Sequence, residues 1–221
     1  VEEGQIIALL GTNGAGKSTL LKAISGVAPA HRGAVVFDGR DITHAPPDEI
    51  APLGVAQVPG GQGTFPSLTV AENLRVAGWQ IRGDEATRAA RVDDALELFP
   101  VLRQRLDDPA ADLSGGQQQM LALAMAFLTR PKLLMIDELS LGLAPVVVEQ
   151  LLDVVRSLRD QGTTIILVEQ SVNVALTVAD TAYFMEKGEI RFHGPTAELL
   201  DRPDVLRSVF LAGAGSRLTS N

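Results

Sequence analysis

Three short runs of the chain are almost wholly apolar and show no alternation with polar positions: residues 5–10, 133–136 and 163–168. Runs of this length without a polar side predict strands of a parallel sheet that is covered on both faces. Each is followed by a segment whose apolar positions recur at helical spacing, at 17–25, 146–159 and 172–179. This strand–helix rhythm predicts an open, mostly parallel α/β sheet, whose ligands sit at the carboxyl ends of the strands. Between Pro66 and Arg130 the rhythm gives way to helix after helix, at 69–78, 84–98 and 116–129. In the second of these, Val92, Ala95, Leu96 and Phe99 form a stripe that faces a core. The expected organisation is therefore one domain over 1–221: a core of 1–60 and 131–221, with a helical lobe of 61–130 inserted into it. The glycine and proline cluster leading into the lobe, Pro59-Gly60-Gly61-Gln62-Gly63-Thr64-Phe65-Pro66, reads either as a mobile connection or as an ordinary surface loop.

Composition narrows the function classes. The 221 residues are enough to bury a sizeable core. With 19 basic against 27 acidic residues, a formal charge of −8 and no basic block, bulk charge gives no affinity for nucleic acid or anionic lipid. There is no cysteine, which excludes disulfides, thiolate metal sites and cysteine nucleophiles. The longest strongly apolar stretch, 120–128, is too short to span a bilayer, and the acidic start Val1-Glu2-Glu3-Gly4 is unlike a signal peptide. The chain reads as soluble, and its mean hydropathy of +0.16 leaves room for a docking surface.

Chemistry enters with Gly11-Thr12-Asn13-Gly14-Ala15-Gly16-Lys17-Ser18, followed by Thr19. This is a complete G-x-x-x-x-G-K-S loop between a strand and a helix. Its glycines let consecutive N–H groups converge on one anion, and the helix start adds its positive end. Lys17 is expected to reach the outer phosphates of a nucleotide and Ser18 to ligate magnesium. A second constellation is the apolar strand that ends in Asp137 and Glu138. Alternation along a strand points neighbours in opposite directions, which predicts different work for the two acids. Asp137 is placed to hold the magnesium shell. Glu138 can accept a proton from an attacking water. The third, Leu113-Ser114-Gly115-Gly116-Gln117, opens an apolar helix with a hydroxyl and free N–H groups, which makes either a second anion site or a simple helix cap.

Taken together, the phosphate loop, the Leu-Ser-Gly-Gly-Gln segment and the acid-ended strand resemble the ATP-binding subunits of ABC transporters over essentially the whole chain. The resemblance implies an ABC-type P-loop NTPase fold, ATP and Mg2+ as ligands, and head-to-tail closure of two ATPase subunits, identical or different. Ser114, Gly115, Gly116 and Gln117 would then clasp the γ-phosphate of ATP held by the partner, while Gly11, Asn13, Gly14, Ala15, Gly16, Lys17, Ser18 and Thr19 hold their own. The segments 65–74, 139–145 and Leu167-Val168-Glu169-Gln170 look like the ATPase subunits of branched-chain amino acid importers. By that likeness the chain sits at the cytoplasmic face of the membrane, attached through permease subunits that dock near 65–73. It is served indirectly by a periplasmic or extracellular solute-binding protein, and nucleic acid is not a partner.

Several positions depart from the family pattern. Gly60 stands where a linker glutamine is usual, with Gln57 and Gln62 as possible substitutes. Gln170 stands for the switch histidine, as is normal in the branched-chain group; the amide can bond a phosphate oxygen but cannot titrate near neutral pH. Ala144 replaces a common aspartate and Leu139 a proline. Relatives carry a β hairpin with an adenine-stacking aromatic ahead of the phosphate-loop strand. The sequence starts at Val1 without it and is read as a fragment or trimmed sequence, so no adenine platform is assigned. His31, His44 and His193 read as surface residues, and Trp79 as packed within the lobe. Two other readings remain. A nontransport ABC ATPase predicts tandem repeats, a coiled-coil insertion or a basic surface, none of which the sequence has. A nonhydrolytic regulatory subunit fits Gly60 and the missing hairpin but is opposed by Glu138.

Overall fold

The computed structural model describes residues 1–61 and 63–200. The first apolar run is β1 (Ile6–Leu10), every residue of it buried. It leads through the glycine loop into α1 (Lys17–Ile24). The polar stretch that follows holds a short antiparallel ribbon, β2 (Val36–Phe37) with β3 (Arg40–Asp41), and the brief helix α2 (Pro47–Ile50). β4 (Val55–Val58) then enters the main sheet. Between it and the next strand lie α3 (Val70–Ala77), α4 (Glu85–Leu98), α5 (Pro100–Arg103) and α6 (Gly115–Phe127). β5 (Leu133–Asp137), α7 (Pro145–Asp160), β6 (Thr164–Glu169) and α8 (Val172–Val178) restore the alternation. The hairpin β7 (Thr181–Glu186) with β8 (Glu189–Pro195) and the helix α9 (Thr196–Leu200) complete the described residues.

The main sheet runs β4-β5-β6-β1-β7-β8. All pairings are parallel except that of β7 with β8. The period-2 rule explains how wholly apolar strands fill two cores. Ile6, Ala8 and Leu10 of β1 face one cluster with α3 to α8, whereas Ile7 and Leu9 face a second with Leu21, Ile42 and Ile50. The predicted stripe on α4 lies in the first cluster, with Ala95, Leu96 and Phe99 buried and Val92 packed against them.

Helix ends follow local chemistry. Thr69 caps α3 through a capping box with Glu72, and Ser114 caps α6 through one with Gln117. Asn73 is wholly buried, accepting from the Phe65 N–H at 2.7 Å and donating to the carbonyls of Phe65, Leu68 and Thr69. One amide thus adds four hydrogen bonds to a turn whose backbone is also tied to Asp108, Ala110 and Ala111. Segment 65–69 is held in shape by it, while Phe65 itself is exposed.

Candidate phosphate-binding and hydrolysis site

Strand register brings the site together. Leu10, the last residue of β1, lies opposite Glu169, and Asp137 lies opposite Val168. Three parallel strands therefore end in one row, and the glycine loop, the two acids and Glu169-Gln170 all leave from it. The loop is held from behind by the β7–β8 hairpin. A Cβ on Gly11 would stand 2.2 Å from the Met185 carbonyl oxygen, so only glycine lets the loop leave β1 this close to β7. At the far end, the Gly188 N–H donates to the Ala15 carbonyl at 2.8 Å. Gly16 caps α1 with a φ of 104°, which an L side chain rarely adopts.

Lys17 is buried, and its Nζ donates to the carbonyls of Gly11 at 2.7 Å and Thr12 at 3.1 Å. Burial lowers its pKa, while the carboxylates of Glu138, Asp137 and Glu169 pull it back up. One cation thus sits among three acids from two neighbouring strands. Ala15 is buried, whereas Asn13, Gly14, Ser18 and Thr19 are exposed and open to a ligand.

Asp137 and Glu138 do diverge, but strand alternation is not the reason. β5 stops at Asp137, and Glu138 takes a left-handed backbone with a φ of 56°. Its N–H donates to the Val168 carbonyl at 2.9 Å, and its Oε1 accepts from Gln170 Nε2 at 2.6 Å. Gln170 therefore orients this carboxylate, a contact that the sequence did not predict. Asp137 Oδ1 is buried without a hydrogen-bond partner. An orphaned anionic oxygen beside the phosphate loop is what a hard cation with oxygen ligands requires, so the residues fit Mg2+.

Glu169 is a buried carboxylate beside these acids to which sequence reasoning gave no role. It is 2 % exposed, and burial raises its carboxyl pKa against the pull of its hydrogen bonds. Its Oε1 accepts from the Ser140 N–H at 2.9 Å and its Oε2 from Ser140 Oγ at 2.8 Å. The available signal was a carboxylate directly after the apolar run Ile165-Ile166-Leu167-Val168. Leu139, the departure from proline, is 1 % exposed and belongs to the core, which accounts for an apolar residue there.

The segment at the start of α6 lies across a cavity of about 180 Å³, lined by Glu138, Gly142, Leu143, Gly61, Gly63 and Gly115 among others. Ser114 is exposed, and its Oγ accepts from the Gln117 N–H at 3.3 Å while Gln117 Oε1 accepts from the Ser114 N–H at 3.0 Å. In this chain the serine is thus a helix cap, with Gly115 lining the cavity and Gly116 buried against Val147. Arg105 Nη1 also donates to Gln117 Oε1, at 3.2 Å.

Gly60 packs against the acids: a Cβ there would lie 3.2 Å from the Asp137 carbonyl oxygen and 3.6 Å from Glu138 Cβ. The absence of a side chain lets the loop lie close to the end of β5. Gln57 sits within β4, opposite Met135; Gln62 lies outside the described residues. Trp79 is a correction. It is 66 % exposed rather than packed in the lobe, and Arg82 lies over its ring at 4.4 Å. The ring stays at the surface because it follows directly on α3, in a 3₁₀ turn whose buried residue is Gly78. His31, His44 and His193 are exposed as expected, with His193 stacked on Tyr183. Among the described residues no helix is long and apolar enough to cross a membrane.

Comparison with known proteins agrees with this geometry. The ABC transporter family profile matches residues 1–140. The chain is 43% identical to the high-affinity branched-chain amino acid transport ATP-binding protein BraG of Pseudomonas aeruginosa, covering 96% of this chain and 90% of that protein. It is 42% identical to a probable branched-chain amino acid transport ATP-binding protein, LivF, of Archaeoglobus fulgidus, over 91% and 85%. The lipopolysaccharide export ATP-binding protein LptB of Escherichia coli is 32% identical, over 94% and 86%. Among solved structures, the ADP conformation of the cassette MJ1267 superposes with a TM-score of 0.84 at 28% identity, over 96% of this chain and 89% of that one. With a phosphate loop and an acid-ended strand brought into one row, and relatives similar to it along most of their length, this chain belongs to the ABC transporter family as an ATP-binding, ATP-hydrolysing subunit.

Proposed function

We propose that this subunit powers an importer of branched-chain amino acids or a chemically related solute. Two relatives above 40% identity carry that solute class in their names, whereas the lipopolysaccharide exporter subunit stands at 32%. Residues 1–60 and 131–221 serve as the nucleotide-binding core and 61–130 as the lobe that carries the Ser114 segment. Two such subunits, alike or different, close head to tail at the cytoplasmic face of the membrane. They act on permease subunits, and a solute-binding protein outside the cell supplies those permeases.

The observation that carries the chemistry is the convergence of Lys17, which opens α1 after β1, with Asp137 and Glu138 at the end of β5, the two strands being separated only by β6. Lys17 exchanges its two loop carbonyls for phosphate oxygens when ATP enters, and the N–H groups of Gly11, Asn13, Gly14, Ala15, Gly16, Ser18 and Thr19 surround the same anion. Ser18 and Asp137 would hold Mg2+, which would supply positive charge against the β- and γ-phosphates. Glu138, oriented by Gln170, takes a proton from the water whose oxygen attacks the γ-phosphorus in line, and the bond to the ADP oxygen breaks. Ser114, Gly115, Gly116 and Gln117 complete the partner's site.

Glu138→Gln tests this reading. The amide keeps the size of the side chain and loses the base, so phosphate release falls by ~10² to 10⁴ while ATP still binds. Turnover near that of the unmodified protein, with nucleotide occupancy confirmed, would remove Glu138 from the mechanism.

A further inference from the structure

A carboxylate at the end of a wholly buried strand is costly unless partners hold it, and among the described residues Glu169 forms no ion pair, although Lys17 lies close enough to feel its charge. Both of its oxygens accept from Ser140, 29 positions away in the chain and two residues beyond Glu138, while its other partners, the backbone N–H groups of Gln170 and Ser171, are its own neighbours in the chain. Its neighbours do related work. The carbonyl of Val168 accepts the Glu138 N–H, and the Gln170 amide donates to the Glu138 carboxylate. Three consecutive residues of one strand end therefore tie down three points of the same turn: the backbone of 138, the side chain of 138 and residue 140. Such a turn needs this, because Glu138 sits at a φ of 56°, which a non-glycine residue holds only when its surroundings over-determine it. Beyond Ser140 the chain passes Leu141, Gly142 and Leu143, which line the cavity facing Gly115. A Cβ on Gly115 would stand 3.6 Å from Leu143 Cδ2.

We propose that Glu169 is a positioning residue: its two-point clamp on Ser140 fixes the turn that aims the Glu138 carboxylate and sets the loop 141–143 against the start of α6. This rests on the reading of Glu138 as the base. The clamp is geometric rather than electrostatic. A glutamine at 169 can reproduce it, since its oxygen accepts the Ser140 N–H and the Ser140 hydroxyl turns to accept from its NH₂. A leucine at 169 keeps the burial of the strand and removes both acceptors.

The test is steady-state phosphate release with kcat and KM for ATP measured separately, in the full chain. Glu169→Leu lowers kcat by ~10- to 100-fold, the scale of a misplaced catalytic group, with KM within about threefold. Ser140→Ala gives a smaller loss in the same direction, and it carries the test if the leucine variant does not fold. Glu169→Gln recovers most of what Glu169→Leu loses. In a Glu138→Gln background, adding Glu169→Leu costs nothing further, because the group it positions is gone. The clamp is overturned if Glu169→Leu keeps its kcat while Glu138→Gln is inert, if the two losses multiply, or if Glu169→Gln is as poor as Glu169→Leu. If Glu138→Gln itself turns over normally, the base assignment fails and takes the clamp with it.

Discussion

A methyl group added at Gly116 meets Val147 of α7: the new Cβ would lie 2.6 Å from Cγ1, 3.5 Å from Cγ2 and 3.6 Å from Cβ. Ordinary carbon contacts begin near ~3.5 Å, so about 1 Å must be found. Valine is stiff at χ1 and cannot swing aside, so α6 has to shift against α7. Overpacking of this kind costs about 1–3 kcal/mol, and the better helix propensity of alanine returns up to about 1 kcal/mol. A net loss of about 1–2 kcal/mol lowers Tm by roughly 2–8 °C in a chain of this size. The assay is a thermal double-mutant cycle with Val147→Ala, which removes both Cγ atoms. The double variant should be more stable than the two single losses predict, by about 1 kcal/mol or more. Strict additivity would show that the clash does not exist and that Gly116 has no packing role. In the rescued double variant, ATP-driven dimerisation stays impaired if Gly116 also approaches the partner's nucleotide, which separates the two duties of the glycine.

Other expectations concern the site directly. Lys17→Ala removes the buried cation and leaves the charges of Asp137 and Glu138 near the triphosphate without it, so calorimetry should show ATP affinity weakened by ~2–4 kcal/mol, about 30- to 1,000-fold. An unchanged affinity refutes its phosphate role. Ser114→Arg loses a helix cap worth about 1 kcal/mol, keeps ATP binding to the single subunit, and loses ATP-driven dimerisation with either a like or a different ATPase partner in sedimentation runs. For Glu169, burial raises the folded pKa above the ordinary 4.5, so its contribution to stability is complete below that value and is lost as pH rises through the raised one. The Tm of the unmodified protein, taken relative to Glu169→Gln, should therefore fall as the pH rises above the ordinary carboxylate value. A difference that does not move with pH would mean that the carboxyl titrates normally.

Local pattern alone determined much of this protein. The runs at 5–10, 133–136 and 163–168 became β1, β5 and β6, shifted by a residue at most at either end, and the six predicted helices became α1, α3, α4, α6, α7 and α8 with similarly small shifts. Burial on both faces leaves a strand no polar side, and a helix face repeats every 3.6 residues, so both are written in neighbouring positions. The phosphate loop is legible for the same reason: its glycines, lysine and serine act within eight residues of one another. Short or solvent-facing strands escaped. β4 has only four residues, β2 and β3 two each, and β8 is a largely exposed edge. Tertiary structure decided the rest. Trp79 lies outside the core because of how the chain leaves α3, and Glu138 parts from Asp137 through a left-handed residue rather than through strand alternation. Val147 and Gly116, Glu169 and Ser140, and Gln170 and Glu138 are distant in sequence and meet only because parallel strands and the helices packed on them end together. A sequence shows which residues are capable of such contacts, but their partners depend on register and packing, which are properties of the whole sheet.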